Sequence, residues 1–196
     1  MKLGIIIGST REGRMTDRQA KWVYNLASKM DGVEAEIVDL RDYPMPFFDE
    51  PISPRYNPDR QIDPTVQPWL KKIDSLDAYV FVTPEYNHAI PGVLKNALDY
   101  VTWELVHKPA AVISHGSAGG GRAQINLKVI LSESKAAPIP IPSPLAMVGM
   151  SELIDADGNL TEAAKAKPYD LNDMAMNMLT DLKWYSDALA AARASS

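Results

Sequence analysis

Three short loops of this sequence hold residue types that can bind an anion and a flat ring. The first loop, Gly8-Ser9-Thr10-Arg11-Glu12-Gly13-Arg14-Met15-Thr16, follows the apolar run Leu3 to Ile7. Small residues let a backbone approach an anion, hydroxyls and amides donate hydrogen bonds to it, and a following helix N-terminus adds a favourable dipole. Arg11 and Arg14 could add charge-assisted bonds. The loop predicts a phosphate site, with an ordinary polar strand-to-helix turn as the alternative.

The first loop departs from two common nucleotide-binding patterns. A Walker loop requires Lys and then Ser or Thr where Arg14 and Met15 stand. The dinucleotide pattern requires a glycine where Thr10 stands. A single terminal phosphate, such as that of FMN, suits the loop better than either pattern.

The second loop, Thr83-Pro84-Glu85-Tyr86-Asn87-His88-Ala89-Ile90-Pro91-Gly92, follows the apolar run Ala78 to Val82. A flat heteroaromatic ring with polar edges needs an aromatic surface, backbone donors and acceptors, and a rigid turn. Tyr86, Asn87 and the two prolines of the loop supply these. His88 is compatible with an acid or base role, but a lone loop histidine is more often structural or merely exposed.

The third loop, His115-Gly116-Ser117-Ala118-Gly119-Gly120-Gly121-Arg122, follows the run Ala110 to Ser114. Its four glycines permit positive φ angles and close contact between backbone and ligand. Flexibility alone would also explain such a run. Its place at a strand end, beside two other ligand-suited loops, favours a binding role.

These loops need a frame that brings them to one edge. Apolar runs rich in β-formers recur at 3–7, 35–38, 78–82 and 110–114, with a weaker run at 137–141. Apolar residues with helical spacing recur between and after these runs, around 23–30, 66–73, 94–101, 123–131 and 171–185. The alternation predicts a doubly wound, five-stranded parallel α/β sheet with helices on both faces. Ligands of such sheets bind beyond the carboxyl ends of the strands.

Length and composition limit the possible functions. The 196 residues fit one domain, 1–196, and 46% hydrophobic with 23% charged residues is ordinary globular composition. With no apolar run of about 20 residues and no signal-peptide pattern, we expect a cytoplasmic protein without membrane contact. Because there are no cysteines and the net charge is −5, cysteine metal sites and nucleic-acid binding are not expected, and redox chemistry would need a bound cofactor.

A proline-rich stretch interrupts the alternation of strands and helices. Residues 41–64 contain six prolines together with Phe47, Phe48 and Tyr56. Because prolines fix backbone angles, we predict a long ordered loop there, with a flexible linker as the alternative.

The ordered motifs resemble the NADPH-dependent FMN reductase family. Gly8-Ser9-x-Arg11, the run Pro84-Glu85-Tyr86-Asn87 and the Gly119-Gly120 loop carry the likeness over about residues 2–135. Asp39-Leu40-x-Asp42 followed by Pro46-Phe47-Phe48-Asp49 resembles the family's loop after the second strand. Thr10, the third consecutive glycine and His115 depart from many members.

The resemblance implies a flavodoxin-like fold that binds one FMN per chain. It implies a cofactor site with the phosphate at one end and the isoalloxazine ring at the other. With the residues singled out above, the cofactor-binding set is Ser9, Arg11, Arg14, Met15, Thr16, Pro84, Glu85, Tyr86, Asn87, His115, Ser117, Gly119 and Gly120. No side chain is expected to act as a catalytic acid, base or nucleophile, and no metal is expected.

The implied activity is a ping-pong reaction. NAD(P)H would reduce FMN at N5 and leave before a quinone, azo compound, flavin or metal acceptor enters. The sequence does not choose between NADH and NADPH; Arg14, Lys108 and Arg122 are candidates for the extra phosphate or are simply solvated. Homodimers or homotetramers are implied, with the loop at 46–49 and helix residues near Trp103 facing a partner chain. The rival interpretation is a non-enzymatic flavin-binding electron carrier or redox sensor.

Overall fold

The computed structural model describes residues 1–133, 137–138 and 145–195. Its strands are β1 (Lys2–Ile7), β2 (Glu34–Asp39), β3 (Ala78–Pro84), β4 (Pro109–His115), β5 (Ala137–Pro138) and β6 (Leu145–Met147). All pairings between them are parallel, in the order β2-β1-β3-β4-β5, with β6 also beside β4. This order is the flavodoxin-like one and confirms the predicted fold class.

The fifth position of the sheet is divided between two short strands. Ala137–Pro138 pair with Pro109 and Ala110 at the start of β4, whereas Leu145–Met147 pair with Ile113 to His115 at its end. The predicted run 137–141 is therefore confirmed only at its first two residues, since 139–141 lie outside the described residues. Strand β6 was not predicted, because its three residues are too short to give a pattern.

The helices are α1 (Thr16–Ala27), α2 (Gln67–Asp74), α3 (Gly92–Asp99), α4 (Gly121–Glu133), α5 (Met150–Leu153), α6 (Glu162–Lys165) and α7 (Leu171–Ala194). The five predicted helices are α1 to α4 and α7. The one-turn helices α5 and α6 were not predicted. Right-handed crossovers place α1 on one face of the sheet and α2, α3 and α4 on the other, because the chain reverses direction across the sheet after β2. Helix α7 packs on α1.

The centre of the sheet is the core. Every residue of β3 is buried, and β4 is buried up to Ser114, as expected for parallel strands covered on both faces. Strand β2 lies at an edge and is largely half-exposed. The buried strands fix where their carboxyl ends emerge: Ile7 pairs with Val82, and Pro84 with His115.

The proline-rich stretch is an ordered loop, as predicted. It contains two 3-10 turns, Leu40–Asp42 and Pro54–Tyr56. The buried guanidinium of Arg60 joins the stretch to the body of the protein, since it donates to Glu50 Oε1 at 2.8 Å and to the Tyr100 carbonyl at 2.6 Å. Thr16 and Gln19 have the spacing of a capping box but do not form one, because Met15 occupies the N-cap position and Gln19 points into the core.

Candidate functional site

The loop after β1 turns tightly over the end of β3. The Gly8 amide donates to the Val82 carbonyl at 2.8 Å. A Cβ at this position would lie 2.9 Å from Leu94 Cδ2 and 3.0 Å from the Val82 oxygen, so glycine is required by space. The buried Ser9 hydroxyl then accepts from the Arg11 amide at 3.3 Å and lies 3.0 Å from the Tyr86 hydroxyl.

Thr16 opens α1 with a buried hydroxyl that has no partner. The residue is fully buried, and its Oγ1 makes no hydrogen bond within the described residues. A buried hydroxyl without a partner costs free energy, and such an atom in a native structure calls for a missing ligand or water. Since Thr16 stands at a helix N-terminus behind a loop of small residues, an anion is the ligand that its position suits.

Arg14 is bound inside the loop rather than at its outer face. Its side chain is 3% exposed; it donates to Asp39, to Asp17 Oδ1 at 2.7 Å and to the Ser9 carbonyl. Although burial opposes it, the two carboxylates raise the pKa of Arg14. Although burial raises the pKa of Asp39, hydrogen bonds from Arg14 and the Arg41 amide hold it below its usual value. The two arginines predicted to bind a phosphate therefore differ in their surroundings. Arg14 is paired with two carboxylates of the protein, whereas Arg11 is exposed.

The loop after β3 is a two-residue hairpin turn. Tyr86 and Ala89 exchange both backbone hydrogen bonds, at 2.9 and 3.0 Å. Asn87 and His88 between them have φ angles of 49° and 67°. Positive φ at both central positions is the geometry of a type I′ turn, which is strained for a residue such as histidine. The structure therefore holds the tip of this loop in one fixed shape.

Tyr86 links this turn to the loop after β1. Besides the contact of its hydroxyl with Ser9, its ring lies under the Arg11 guanidinium, whose Cζ is 5.9 Å from the ring centroid. Sequence reasoning expected Tyr86 to line the flat ring of a ligand. In the structure its side chain contacts the predicted phosphate loop, and the ring contact stays a prediction.

Glu85 links the same turn to the glycine loop. Its Oε2 accepts from the Arg122 and Ala123 amides at 3.0 and 3.3 Å, and its Oε1 from the Arg122 guanidinium at 3.3 Å. Although burial raises the pKa of Glu85, these three donors lower it below the usual value. The carboxylate thus caps the N-terminus of α4 across the cleft. This role was missed because capping signals are read within one segment.

The glycine loop is packed closely against the end of β4. Gly119 and Gly120 have φ angles of 82° and 78°. The Ser114 hydroxyl donates to the Gly119 carbonyl at 3.0 Å, and the Glu85 amide donates to the His115 carbonyl at 2.8 Å. Ser117 lies exposed at the outer tip. The Glu85 amide and the Glu85 carboxylate thus join the loops after β3 and β4 at two points.

His115 faces inward rather than toward a ligand. Its Nδ1 lies 2.6 Å from Gln19 Oε1, and Gln19 Nε2 donates to the Met147 sulfur at 3.1 Å. Burial lowers the pKa of His115 to about 4, so the imidazole is neutral at pH 7, with Nδ1 as the donor. Gln19 and Met147 carry no motif, and sequence reasoning missed both.

The three loops thus form one connected edge, and comparison with known proteins shows the family to which the chain belongs. The model of the family described as NADPH-dependent FMN reductase matches residues 1–149. The chain belongs to the NADPH-dependent FMN reductase family.

Named relatives agree with this membership. The chain is 38% identical over 127 residues to an NAD(P)H-dependent FMN reductase of Schizosaccharomyces pombe, a match that spans 65% of this chain and 64% of the relative. It is 33% identical over 172 residues to an NADPH azoreductase of a Bacillus species, over 87% and 88% of the two chains. This family membership makes the chain an oxidoreductase that uses FMN and NAD(P)H.

A solved structure supports the fold. The flavoenzyme NAD(P)H:(acceptor) oxidoreductase FerB of Paracoccus denitrificans superposes with a TM-score of 0.70 over 97% of both chains, at 24% identity.

In the described part of this chain, no helix is long and apolar enough to cross a membrane, and no three acidic or histidine side chains come together as a metal site.

The residues of the site fit the FMN that the family uses. The unpartnered hydroxyl of Thr16 suits a phosphate oxygen, and Arg11 is an exposed cation at the same loop. Residues 116–121 of the glycine loop carry no bulky side chain, so a flat ring can approach their main chain. One predicted donor does not fit, since the Tyr86 amide donates to Ala89 within the turn.

Proposed function

We propose that this chain catalyses ping-pong hydride transfer from NAD(P)H to a small-molecule acceptor at an FMN site formed by the three loops. The observation that carries the proposal is the buried, unpartnered hydroxyl of Thr16, at the end of an edge where the other buried hydroxyls have partners, namely those of Ser9, Thr83 and Ser114. Bound FMN would supply the hydride chemistry, and the protein would supply position and electrostatics.

The residues divide into those that would bind and those that hold the loops. Thr16, Ser9 and the Arg11 guanidinium would hold the phosphate. Arg14 would shape the phosphate loop from inside, through Asp39 and the Ser9 carbonyl. The charge of Arg14 would act on the phosphate at a distance, whereas its N–H groups would stay bonded to the protein.

The ring end would be bound chiefly by main chain. Within the described residues, the Asn87 amide has no protein acceptor, and it stands at the tip of a turn whose shape is fixed. Such a donor would favour negative charge on a reduced ring without needing to move. Glu85 would hold the turn and the glycine loop at a fixed separation. Met15, Pro84 and Ser117 would contribute through shape or loop position.

A conservative substitution tests the phosphate end. Thr16→Val keeps the shape of the side chain but removes the hydroxyl. Because that hydroxyl has no protein partner, the stability of the FMN-free protein should not fall, whereas FMN should bind about tenfold more weakly. Thr161→Val is the matched control: the Thr161 hydroxyl accepts from the Ala164 amide at 3.3 Å, so its loss should lower stability and leave FMN binding unchanged. Unaltered FMN affinity in Thr16→Val would refute the proposed phosphate site.

The acceptor is the part of the reaction that the site specifies least. Quinones, azo compounds, free flavins and metal chelates are the candidates, and the azoreductase relative favours organic acceptors. Anaerobic addition of NADPH to the FMN-loaded protein, followed by each acceptor in turn, ranks them by the rate at which the yellow absorbance returns. Parallel lines in double-reciprocal plots support the ping-pong scheme, and intersecting lines contradict it. Flavin that NADPH does not bleach would favour the electron-carrier alternative.

Assembly and location also belong to this proposal. We expect a homodimer or homotetramer, because large apolar side chains among the described residues are exposed: Trp103 is 51% exposed and Val129 of α4 is 61% exposed. Trp103 lies in the turn after α3 rather than in a helix. Gel filtration that gives a clean monomer would contradict assembly. The dependence on NAD(P)H supports the cytoplasm as the place of action, where these reductants are supplied.

A further inference from the structure

A cavity of about 220 Å³ adjoins the proposed phosphate loop on the side of β2. Its walls come from three elements: Thr10 of the first loop, Tyr43 to Phe47 of the proline-rich stretch, and Val93 and Asn96 of α3. The lining is mostly apolar, with Leu40 buried behind it. Nothing in the proposed FMN contacts uses this cavity.

The walls of the cavity are held in place by the protein itself. The Asn96 amide is clamped on both sides, since its Oδ1 accepts from the Phe48 amide at 2.9 Å and its Nδ2 donates to the Pro46 carbonyl at 2.7 Å. Tyr43 packs edge-on against the buried Trp69, with ring centroids 5.6 Å apart. The cavity is therefore preformed, and because the Asn96 amide is already hydrogen-bonded within the protein, the cavity favours a flat ring held mainly by van der Waals contact.

An exposed guanidinium is bonded to the part of the first loop that lines this cavity. Arg41 follows Leu40 in the chain, and its side chain is exposed. Its Nε donates to the carbonyl of Thr10, a residue that lines the cavity, at 3.2 Å, and its Nη2 donates to the Arg11 carbonyl at 2.7 Å. These bonds fix the guanidinium plane beside Thr10, and within the described residues its Nη1 has no hydrogen-bond acceptor. A preorganised guanidinium is well suited to bind a phosphate.

We propose that this cavity binds the adenine ring of NADPH and that Arg41 binds the phosphate on its ribose, so that Arg41 sets the preference for NADPH over NADH. The proposal rests on the proposed hydride transfer from NAD(P)H. A cavity of this size is below the range of about 300–1,000 Å³ for pockets that hold a drug-sized ligand, so it fits one ring system rather than a whole dinucleotide. Its position beside the phosphate loop places it at the same carboxyl edge as the ring-binding loops.

Two substitutions test the two halves of this inference. Arg41→Gln removes the charge beside Thr10, and we expect the KM for NADPH to rise about tenfold while the KM for NADH changes less than about twofold and kcat stays constant. Damage to the phosphate loop would instead affect both nucleotides. Val93→Phe narrows the cavity from α3, where Val93 is 41% exposed, and should raise both KM values.

Arg18→Gln is the matched control for the charge. Arg18 also donates to two main-chain carbonyls, those of Ser151 and Ile154, at 3.4 and 3.1 Å, but it lies on α1 against the C-terminal segment. Its loss should leave both KM values unchanged.

Calorimetry with adenosine 2′,5′-bisphosphate gives a readout that needs no turnover. The FMN-loaded protein should bind this probe, Arg41→Gln should bind it about tenfold more weakly, and Val93→Phe should weaken it and adenosine 5′-monophosphate alike. Binding that neither substitution affects would overturn the inference. So would a Val93→Phe variant that changes only the elution volume in gel filtration, since a second copy of the chain would then cover the cavity. Failure of the proposed function is a separate result, namely FMN that NADPH does not reduce.

Discussion

Three consecutive glycines in the loop after β4 allow a graded test of the site geometry. An alanine Cβ at Gly120 would lie 2.8 Å from the His115 carbonyl oxygen and 2.9 Å from both the His115 nitrogen and Ser114 Cβ. At Gly119, the nearest atom would be Ala146 Cβ at 3.3 Å, and at Gly121 nothing lies within 4 Å. Gly119 and Gly120 share a positive φ, whereas Gly121 opens α4.

These distances separate the expected costs of alanine at the three positions. Positive φ costs an alanine about 1–2 kcal/mol relative to glycine, which sets the loss for Gly119→Ala. Gly120→Ala adds overlap with main chain that cannot rotate away, about 1–3 kcal/mol more, for a total of about 2–5 kcal/mol. Gly121→Ala should change stability by about 0.5 kcal/mol or less, and in the favourable direction, because alanine suits a helix better than glycine.

Urea unfolding of the three variants measures these values, and FMN titration measures their effect on the site. Relief of the overlap at Gly120 requires the loop to move away from His115, so Gly120→Ala should also bind FMN most weakly of the three. Equal unfolding free energies for the variants at positions 119 and 120 would refute the packing argument. Normal FMN affinity in a destabilised Gly120→Ala would show that this loop does not contact the cofactor.

Further expectations concern the ionisable groups of the site. Glu85→Ala should weaken FMN binding about tenfold. The control Asp170→Ala removes a carboxylate that caps α7 with two amide donors, so it should lower stability without affecting FMN binding. Equal effects of the two substitutions on FMN binding would refute the inter-loop role of Glu85. Arg14→Ala should cost about 3 kcal/mol in urea unfolding because it leaves Asp39 unpaired, and Arg14→Ala combined with Asp39→Ala should cost less than the sum of the two. Burial lowers the pKa of His115 to about 4, so below pH 6.5 the unfolded chain binds a proton at this histidine that the native protein does not bind. The free energy of unfolding should therefore fall by up to about 3 kcal/mol between pH 6.5 and 4. His115→Asn should flatten that part of the pH profile of stability.

The central strands could be predicted because burial on both faces leaves a clear trace in the sequence. Ala78–Pro84 and Pro109–His115 were anticipated to within two residues at each end. The far edge of the sheet could not be predicted in the same way. Strand β6 has three residues, and its identity as a strand depends on pairing with β4 rather than on its own composition.

The positions of the site loops were predictable, but the direction of each side chain was not. Fold topology brings the ends of β1, β3 and β4 together, so a motif at each end is enough to place the loops. Arg14 and Glu85 appeared suited to a ligand because of their charge. Each has protein partners on another loop, and such contacts join residues 25 and 37 positions apart, which a local pattern does not reveal.

The charged and aromatic side chains of the motifs chiefly organise the edge. Arg14 pairs with Asp39, Glu85 caps α4, and Tyr86 lies between Ser9 and Arg11. These contacts hold the phosphate loop, the I′ turn and the glycine loop in fixed positions. The Thr16 hydroxyl beside them is buried and has no hydrogen-bond partner within the described residues. A cofactor bound there would meet groups that are already oriented, so little ordering would remain to oppose binding. It follows that substitutions at the organising residues should weaken FMN binding through displaced loops, whereas loss of the Thr16 hydroxyl should weaken it with every loop still in place.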